Sequence, residues 1–323
     1  MSLRRRALLA TPLALAAVPA LAQPAAWPDR PTRWMVAYGA GGASDLFARM
    51  ISRALAAPGT PPVVVENRPS GGGIVATEAV LASPADGSTV LHVDNGMMVY
   101  NPALYSRLPF DPDRDLVMAG FIARFPFFIL TRPESPLTTF EELRAAGKRQ
   151  ALTYATPAVA SPHHMAMELL RVRAGVQVEH IPYRGMPAVL QDLIAGRVDC
   201  AIADVTNALP LLSTNRARAL ITFGANRARA VPDVRTATEA GIADCVADGW
   251  QGVSLPRSAA PDLLARVNAA IRAAMASPEV ARQLGTTGAE TEPLSLAQCA
   301  ELIRRENAVW RPLIRDLGIR LES

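Results

Sequence analysis

The sequence predicts an α/β protein folded as two lobes, each a mainly parallel sheet flanked by helices, with a cleft between them. Three observations carry the prediction. Short, unbroken apolar runs rich in β-branched residues are each followed by a helical stripe, the pattern of strands covered on both faces. Turns rich in glycine and other small residues join strand to helix. A long apolar stretch, Met118 to Leu130, divides a first set of such units from a second, and an apolar return at 249–255 suits a segment crossing back. With 323 residues, 50% hydrophobic and 19% charged, the chain has material for two cores and not the composition of a disordered one.

In chain order, Trp34 to Tyr38 reads as a strand that runs through Gly39-Ala40-Gly41-Gly42 into a helix. Its apolar face holds Leu46, Phe47, Met50, Ile51, Ala54 and Leu55, with Asp45, Arg49 and Arg53 opposite. Val63 to Val65 is a buried-type strand and Asn67 to Gly73 a Pro/Gly loop. Ile74 to Ala82 is a helix closed by Pro84 and the Asp86-Gly87 turn, and Thr89 to Val93 is a strand. In the second set, Thr139 and Glu142 form a capping box, Ala151 to Tyr154 is a strand, and Met165, Leu169 and Val172 mark a helix. His180 to Pro182, Val198 to Ala203 and Ala219 to Phe223 read as strands, with a helix from Met186 to Ala195. After Trp250 to Leu255 come two long helices, Pro261 to Ala276 and Ser295 to about Leu317. The expected division is lobe 1 at 28–124 plus 250–323 and lobe 2 at 125–249, closing on a hinge near Ala123 to Pro126 and Gly249 to Gly252.

The formal net charge of +4 invites a nucleic-acid reading until its position is examined. Arg4, Arg5 and Arg6 precede an apolar run from Ala7 to Pro19 and the small-x-small site Ala20-Leu21-Ala22, which together read as an export signal cleaved after Ala22. What remains has 30 basic and 29 acidic side chains, a net charge of +1, and no nucleic-acid partner is expected. Arg5-Arg6 also matches a loose twin-arginine pattern, so both export routes stay open. The apolar run is shorter than the roughly 20 residues that span a bilayer, and no later stretch reads as transmembrane. The mature chain is expected in the periplasm. Its three cysteines, Cys200, Cys245 and Cys299, have no metal-ligand spacing; an oxidising compartment leaves one bridge open with at least one thiol free, and buried unpaired thiols are favoured.

Ligands in such folds sit at the carboxyl ends of strands, so the loops there hold the candidate residues. Tyr38 to Asp45 puts a glycine-rich turn onto a helix N-terminus, where free backbone N–H groups and the helix dipole favour an anion. The alternative is a tight turn with Ser44 or Asp45 satisfying the first amides. Neither this loop nor Gly71-Gly72-Gly73 has the dinucleotide spacing, and no cofactor is expected. Thr153 to His164 is a small-residue loop opening a second helix, with Ser161 at the N-cap and Pro162 at N1. His163 and His164 point about 100° apart on a helix and do not share a metal easily, so no metal site is expected. Asp204 ends an apolar strand, where it either meets a ligand donor or caps the helix beginning near Thr206. No nucleophile triad, H-E-x-x-H or P-loop is present, so binding without catalysis is favoured.

The string Val36-Ala37-Tyr38-Gly39-Ala40-Gly41-Gly42-Ala43-Ser44-Asp45 resembles the first ligand loop of the Bug/TctC proteins, the extracytoplasmic substrate-binding proteins of tripartite tricarboxylate transporters. The resemblance continues through Val63 to Pro69, Gly71 to Gly73, Pro84 to Gly87, Asn101 to Tyr105, His180 to Gly185, Gly196 to Asp199, Pro232 to Val234 and Glu239 to Gly241, in order and over essentially the whole mature chain. It implies a type II periplasmic-binding-protein fold that closes on a small carboxylate held by main-chain amides and ordered waters between two loops. It further implies membrane transporter components as partners, and a monomer is expected. Carried over by position, it points to Tyr38, Ala40, Gly41, Gly42 and Asp45 in one loop, Thr156, Ser161 and His164 in the other, and Asn95 and Asp204 at neighbouring strand ends. Two departures stand out: family first loops usually have Pro and Gly where Ala40 and Gly41 stand, and second loops are richer in Ser and Gly. A periplasmic sensor signalling to a membrane kinase is the alternative of another class, and an exported enzyme is the third.

Overall fold

The structure is a computed structural model that describes residues 26–322. The export segment read at residues 1–22 lies outside the described residues. Strands β1 (Thr32–Val36), β2 (Val63–Asn67) and β3 (Thr89–Asp94) alternate with helices α1 (Ala43–Leu55) and α2 (Ile74–Leu81). β1 lies between β2 and β3, parallel to both. Trp34, Met35 and Val36 are fully buried, as a strand covered on both faces requires. A π-helical turn at Gly96–Tyr100 and two single-turn helices, α3 (Asn101–Leu104) and α4 (Pro112–Asp115), lead to β4 (Leu116–Thr131).

β4 is the spine of the molecule. From Leu116 to Pro126 it pairs antiparallel with β9 (Asp248–Pro256), which itself lies antiparallel to β3. From Phe127 onward its partners are β7 (Cys200–Asp204) and β8 (Arg218–Thr222), both antiparallel. β5 (Leu152–Thr156) runs parallel to β6 (Val178–Pro182) and to β7. The parallel ladders β2-β1-β3 and β7-β5-β6 are thus joined through the two crossing strands, the arrangement expected for the segments at 118–130 and 249–255. Where they cross, a Cβ on Gly249 would lie 2.3 Å from the Phe125 ring and 2.6 Å from Phe127, so only glycine fits between these aromatics.

The helices of the second sheet are α5 (Phe140–Gly147), α6 (Pro162–Ala174), α7 (Met186–Ile194) and α8 (Val205–Ser213). The Thr139/Glu142 capping box forms as read, and Ser161 caps α6 with Pro162 in its first turn. After β9, α9 (Pro261–Met275), α10 (Pro278–Thr287) and α11 (Leu296–Asp316) return to the first sheet. Asn268 on α9 donates to the Ala119 carbonyl at 2.9 Å, and Trp310 on α11 packs 4.8 Å from Tyr100. α10 is absent from the sequence reading although Ser277 and Pro278 supply an ordinary start; among its ten residues only Val280 and Leu284 are buried, too thin a stripe to read. The three cysteines are free and buried, with burial pushing each thiol up to about 12.

Candidate functional site

Four helices begin around one cavity between the sheets. Its walls include Gly42, Ala43 and Ser44 from the start of α1, Pro162 and His163 from α6, Met186 from α7 and Asp204 before α8. The four ends are not equivalent. α6 and α8 are capped by side chains: Ser161 Oγ accepts from His164 N at 3.2 Å and Asp204 Oδ1 from Asn207 N at 3.1 Å. α1 and α7 begin at glycines, Gly42 and Gly185, with no side-chain cap. Their first-turn N–H groups, at the positive ends of the helix dipoles, lack a side-chain acceptor and favour an anion. The loops before them touch: a Cβ on Gly39 would lie 2.3 Å from the Arg184 carbonyl oxygen.

The floor of the cavity comes from the strands. Phe125 from β4 and Trp250 and Gln251 from β9 line it, beside Asp94 at the end of β3. Gln251 donates to Ser44 Oγ at 2.8 Å, so its carbonyl accepts from His92 Nε2 at 2.9 Å. Burial pushes His92 down to about 4, which keeps it neutral. Asp94 is 4% exposed. Its carboxylate accepts a short hydrogen bond from the Tyr38 hydroxyl and one from Met97 N at 2.9 Å. Burial raises the Asp94 carboxyl above its usual range, opposed by these two donors, and burial beside Asp94 raises the Tyr38 phenol. Across the cavity His163 Nε2 lies 3.2 Å from Asp204 Oδ2, its ring 4.5 Å from that of Phe127. The cavity measures about 30 Å³, room for about one water. An outer cavity of about 390 Å³ shares Tyr38 and Pro157 with it and is lined further out by Arg184.

The family described as "Tripartite tricarboxylate transporter family receptor", TctC, matches residues 47–319. The chain belongs to this family. A UPF0065 protein in the tcbD-tcbE intergenic region of Pseudomonas sp. is 34% identical over 315 residues, covering 96% of this chain and 94% of its own. Among solved structures, R. palustris Rpa4515 with adipate is 28% identical with a TM-score of 0.86, covering 91% of this chain and all of that one (100%). MatC (Rpa3494) from Rhodopseudomonas palustris, with bound malate, is 27% identical with a TM-score of 0.84, covering 89% and 100%. The two-lobed type II fold is therefore that of a periplasmic solute receptor.

Of the positions singled out in the sequence, Tyr38, Gly42 and Asp204 lie on the cavity wall of this TctC chain. Ala40 and Gly41 are exposed at the tip of the first loop, Gly41 with φ +85°. Asp45 is turned back onto the loop: it accepts from Gly41 N at 3.0 Å and pairs with Arg49. Burial raises its carboxyl, but Arg49 and the Gly41 amide together hold it below the usual range. Asn95, one residue past the wall, bridges the Tyr100 hydroxyl and the Asp248 carbonyl at 2.7 and 2.9 Å. Thr156 and Ser161 both donate to the Ala158 carbonyl, and His164 Nδ1 accepts from Ala160 N. These side chains shape the second loop and are not on the cavity wall. His163, which was not selected, lines the wall in place of His164, since adjacent residues on a helix point about 100° apart. Asp94, Gln251 and Trp250 are wall residues the sequence reading did not select. Asp94 carries the signal that selected Asp204, an acid ending an apolar strand, but β3 runs one residue further than read.

Proposed function

We infer that this chain is an extracytoplasmic receptor that closes its two lobes on a small carboxylate and delivers it to the membrane components of a tripartite tricarboxylate transporter. The observation that carries this reading is the pair of helix starts without side-chain caps, α1 and α7, facing one cavity. Backbone amides there would hold the carboxylate, and a volume of about 30 Å³ requires the lobes to part before a ligand enters. The adipate and malate in the R. palustris relatives support the same ligand class. The lobes would be residues 28–124 plus 250–323 and residues 125–249, moving about the β4/β9 crossing. Tyr38, Gly42 and Asp204 would contact the ligand or its waters, while Ala40, Gly41, Asp45, Asn95, Thr156, Ser161 and His164 would hold the loops. The chain would act as a monomer, without catalysis, in the periplasm after cleavage following Ala22.

Thermal-shift and calorimetric titration with mono-, di- and tricarboxylates tests the reading. A ligand that binds only the folded chain raises its Tm. If no carboxylate does so, the reading falls. Mass spectrometry of the compound retained through native purification would identify the ligand directly, and turnover of that compound would overturn the non-catalytic assignment.

A further inference from the structure

The polar groups on the inner wall are lopsided. Two buried carboxylates face the cavity, Asp94 and Asp204, at 4% and 1% exposure, and among the described residues no Lys or Arg lines it. Asp204 is partly compensated: it caps α8, accepts from the Asn207 side chain at 3.0 and 2.8 Å, and faces His163. Asp94 accepts from neutral donors, the Tyr38 hydroxyl and the Met97 and Gly96 amides, with His163 acting on it at longer range. Each carboxylate oxygen has capacity for more than one hydrogen bond, so Asp94 can still accept from a ligand.

A ligand carboxylate placed at the α1 and α7 helix starts therefore has an acidic wall as its neighbour. A second carboxylate on a short ligand would be brought against that wall. It would meet a lining side-chain cation only in adjoining cavities, at Arg184 beyond the shared walls Tyr38 and Pro157, or at Arg124, Arg227 and Arg229 beyond the shared Phe125, among the described residues. Like charges brought together in a desolvated site are strongly disfavoured, whereas an ammonium or N–H group there would add to the neutral donors of Asp94 a partner from the ligand, charged in the case of an ammonium. Resting on the carboxylate reading above, we propose that the cleft selects a carboxylate bearing a hydrogen-bond-donating nitrogen close to the acid group, and that Asp94 is the residue that reads this nitrogen.

The same geometry has a rival use. A protonated Asp94 would donate to a ligand carboxyl, and burial favours that form. Asp94→Asn separates the two, because an amide keeps a carbonyl for Tyr38 and Met97 and supplies a donor, but loses the negative charge.

The experiment is calorimetry on the mature chain with two matched sets: propionate, L-alanine and malonate, then butyrate, L-2-aminobutyrate and succinate. The proposal expects the amino member of at least one set to bind about tenfold or more tighter than both its partners, and Asp94→Asn to bring the amino and plain members to within about threefold of each other. Circular dichroism and Tm establish that the variant is folded; if it is not, Asp94→Ser is put through the same titrations. Tightest binding by malonate or succinate overturns the proposal and leaves the carboxylate reading intact, as does an amino preference that survives in the folded variant. Plain acids binding as well as amino acids, with binding retained or strengthened in Asp94→Asn, assigns Asp94 the rival donor role. Silence from both sets together with the wider carboxylate panel removes the carboxylate reading, and this proposal with it.

Discussion

The two loops that meet at the cavity are built on opposite principles. In the first, Tyr38 to Gly42, the N-cap of α1 is glycine, and the nearby acid, Asp45, reaches back to the Gly41 amide. The second, Pro157 to Ser161, is held by its own side chains: Thr156 and Ser161 on the Ala158 carbonyl, His164 on the Ala160 amide, with Ala160 at φ +60°. One loop leaves backbone donors available, while the other consumes its polar groups in keeping a strained shape. A small-residue loop before a helix is therefore not by itself an anion site; what decides is whether a side chain has already taken the amides.

The sharpest way to break this comparison is at the contact between the first loop and α7. Gly39→Ala places a methyl 2.3 Å from a backbone carbonyl, which cannot swing aside as a side chain would. We expect closure to be penalised by about 3 kcal/mol, roughly a hundredfold in ligand affinity, with the Tm of the unliganded chain little changed. Calorimetry measures the first and scanning calorimetry the second. Unaltered affinity would mean that this contact is not part of the bound state.

Acid should weaken the second loop more than the first, which rests on one buried neutral ring, His92, against two. His164 and His180 stack at 4.0 Å, and His180 lies 2.6 Å from Thr156 Oγ1. Burial pushes His164 down to about 4, and burial with the neighbouring His164 pushes His180 down to about 3. The unfolded chain binds protons at these rings near pH 6.5 while the native chain does not. Their contribution is therefore fully present above that pH and is lost as pH falls from about 6.5 toward 4 and 3. Urea titrations at pH 7, 5.5 and 4.5 should show falling stability, and His180→Gln should flatten the trend; a flat wild-type profile would contradict the buried neutral pair.

The smallest expected effect is the most discriminating. Ser161→Ala removes the α6 cap and the bond to Ala158 and should cost about 1 kcal/mol of stability, read from urea midpoints. Ligand affinity should move by less than about threefold, the equivalent of about 0.7 kcal/mol. A large loss of affinity with little loss of stability would make Ser161 a ligand contact and erase the difference between the loops.

Much of the scaffold was legible because it is written in short-range signals. The Thr139/Glu142 box, the Ser161-Pro162 start and the β-branched strands each report on their own neighbourhood. The cavity wall was legible only in part, because membership turns on single-residue choices. His163 faces the cavity and His164 the second loop; Asp94 lines the wall while Asn95 bridges Tyr100 and Asp248. Trp250 and Gln251 reach the site through the pairing of Arg124 with Trp250 and Ala123 with Gln251, contacts more than a hundred residues apart that no local pattern announces.

β4 changes partner between Pro126 and Phe127: up to Pro126 it borders β9, and beyond that it lies between β7 and β8, so one strand belongs to both sheets. Neither sheet can lose that strand without exposing a ladder of the other. The consequence is thermodynamic coupling: melting one lobe strips hydrogen bonds and apolar cover from its neighbour, and heat or urea should take the chain apart in one cooperative transition. The place proposed as the hinge is thus also the place where the two sheets are stitched together, and the slowest-exchanging amides should lie along β4.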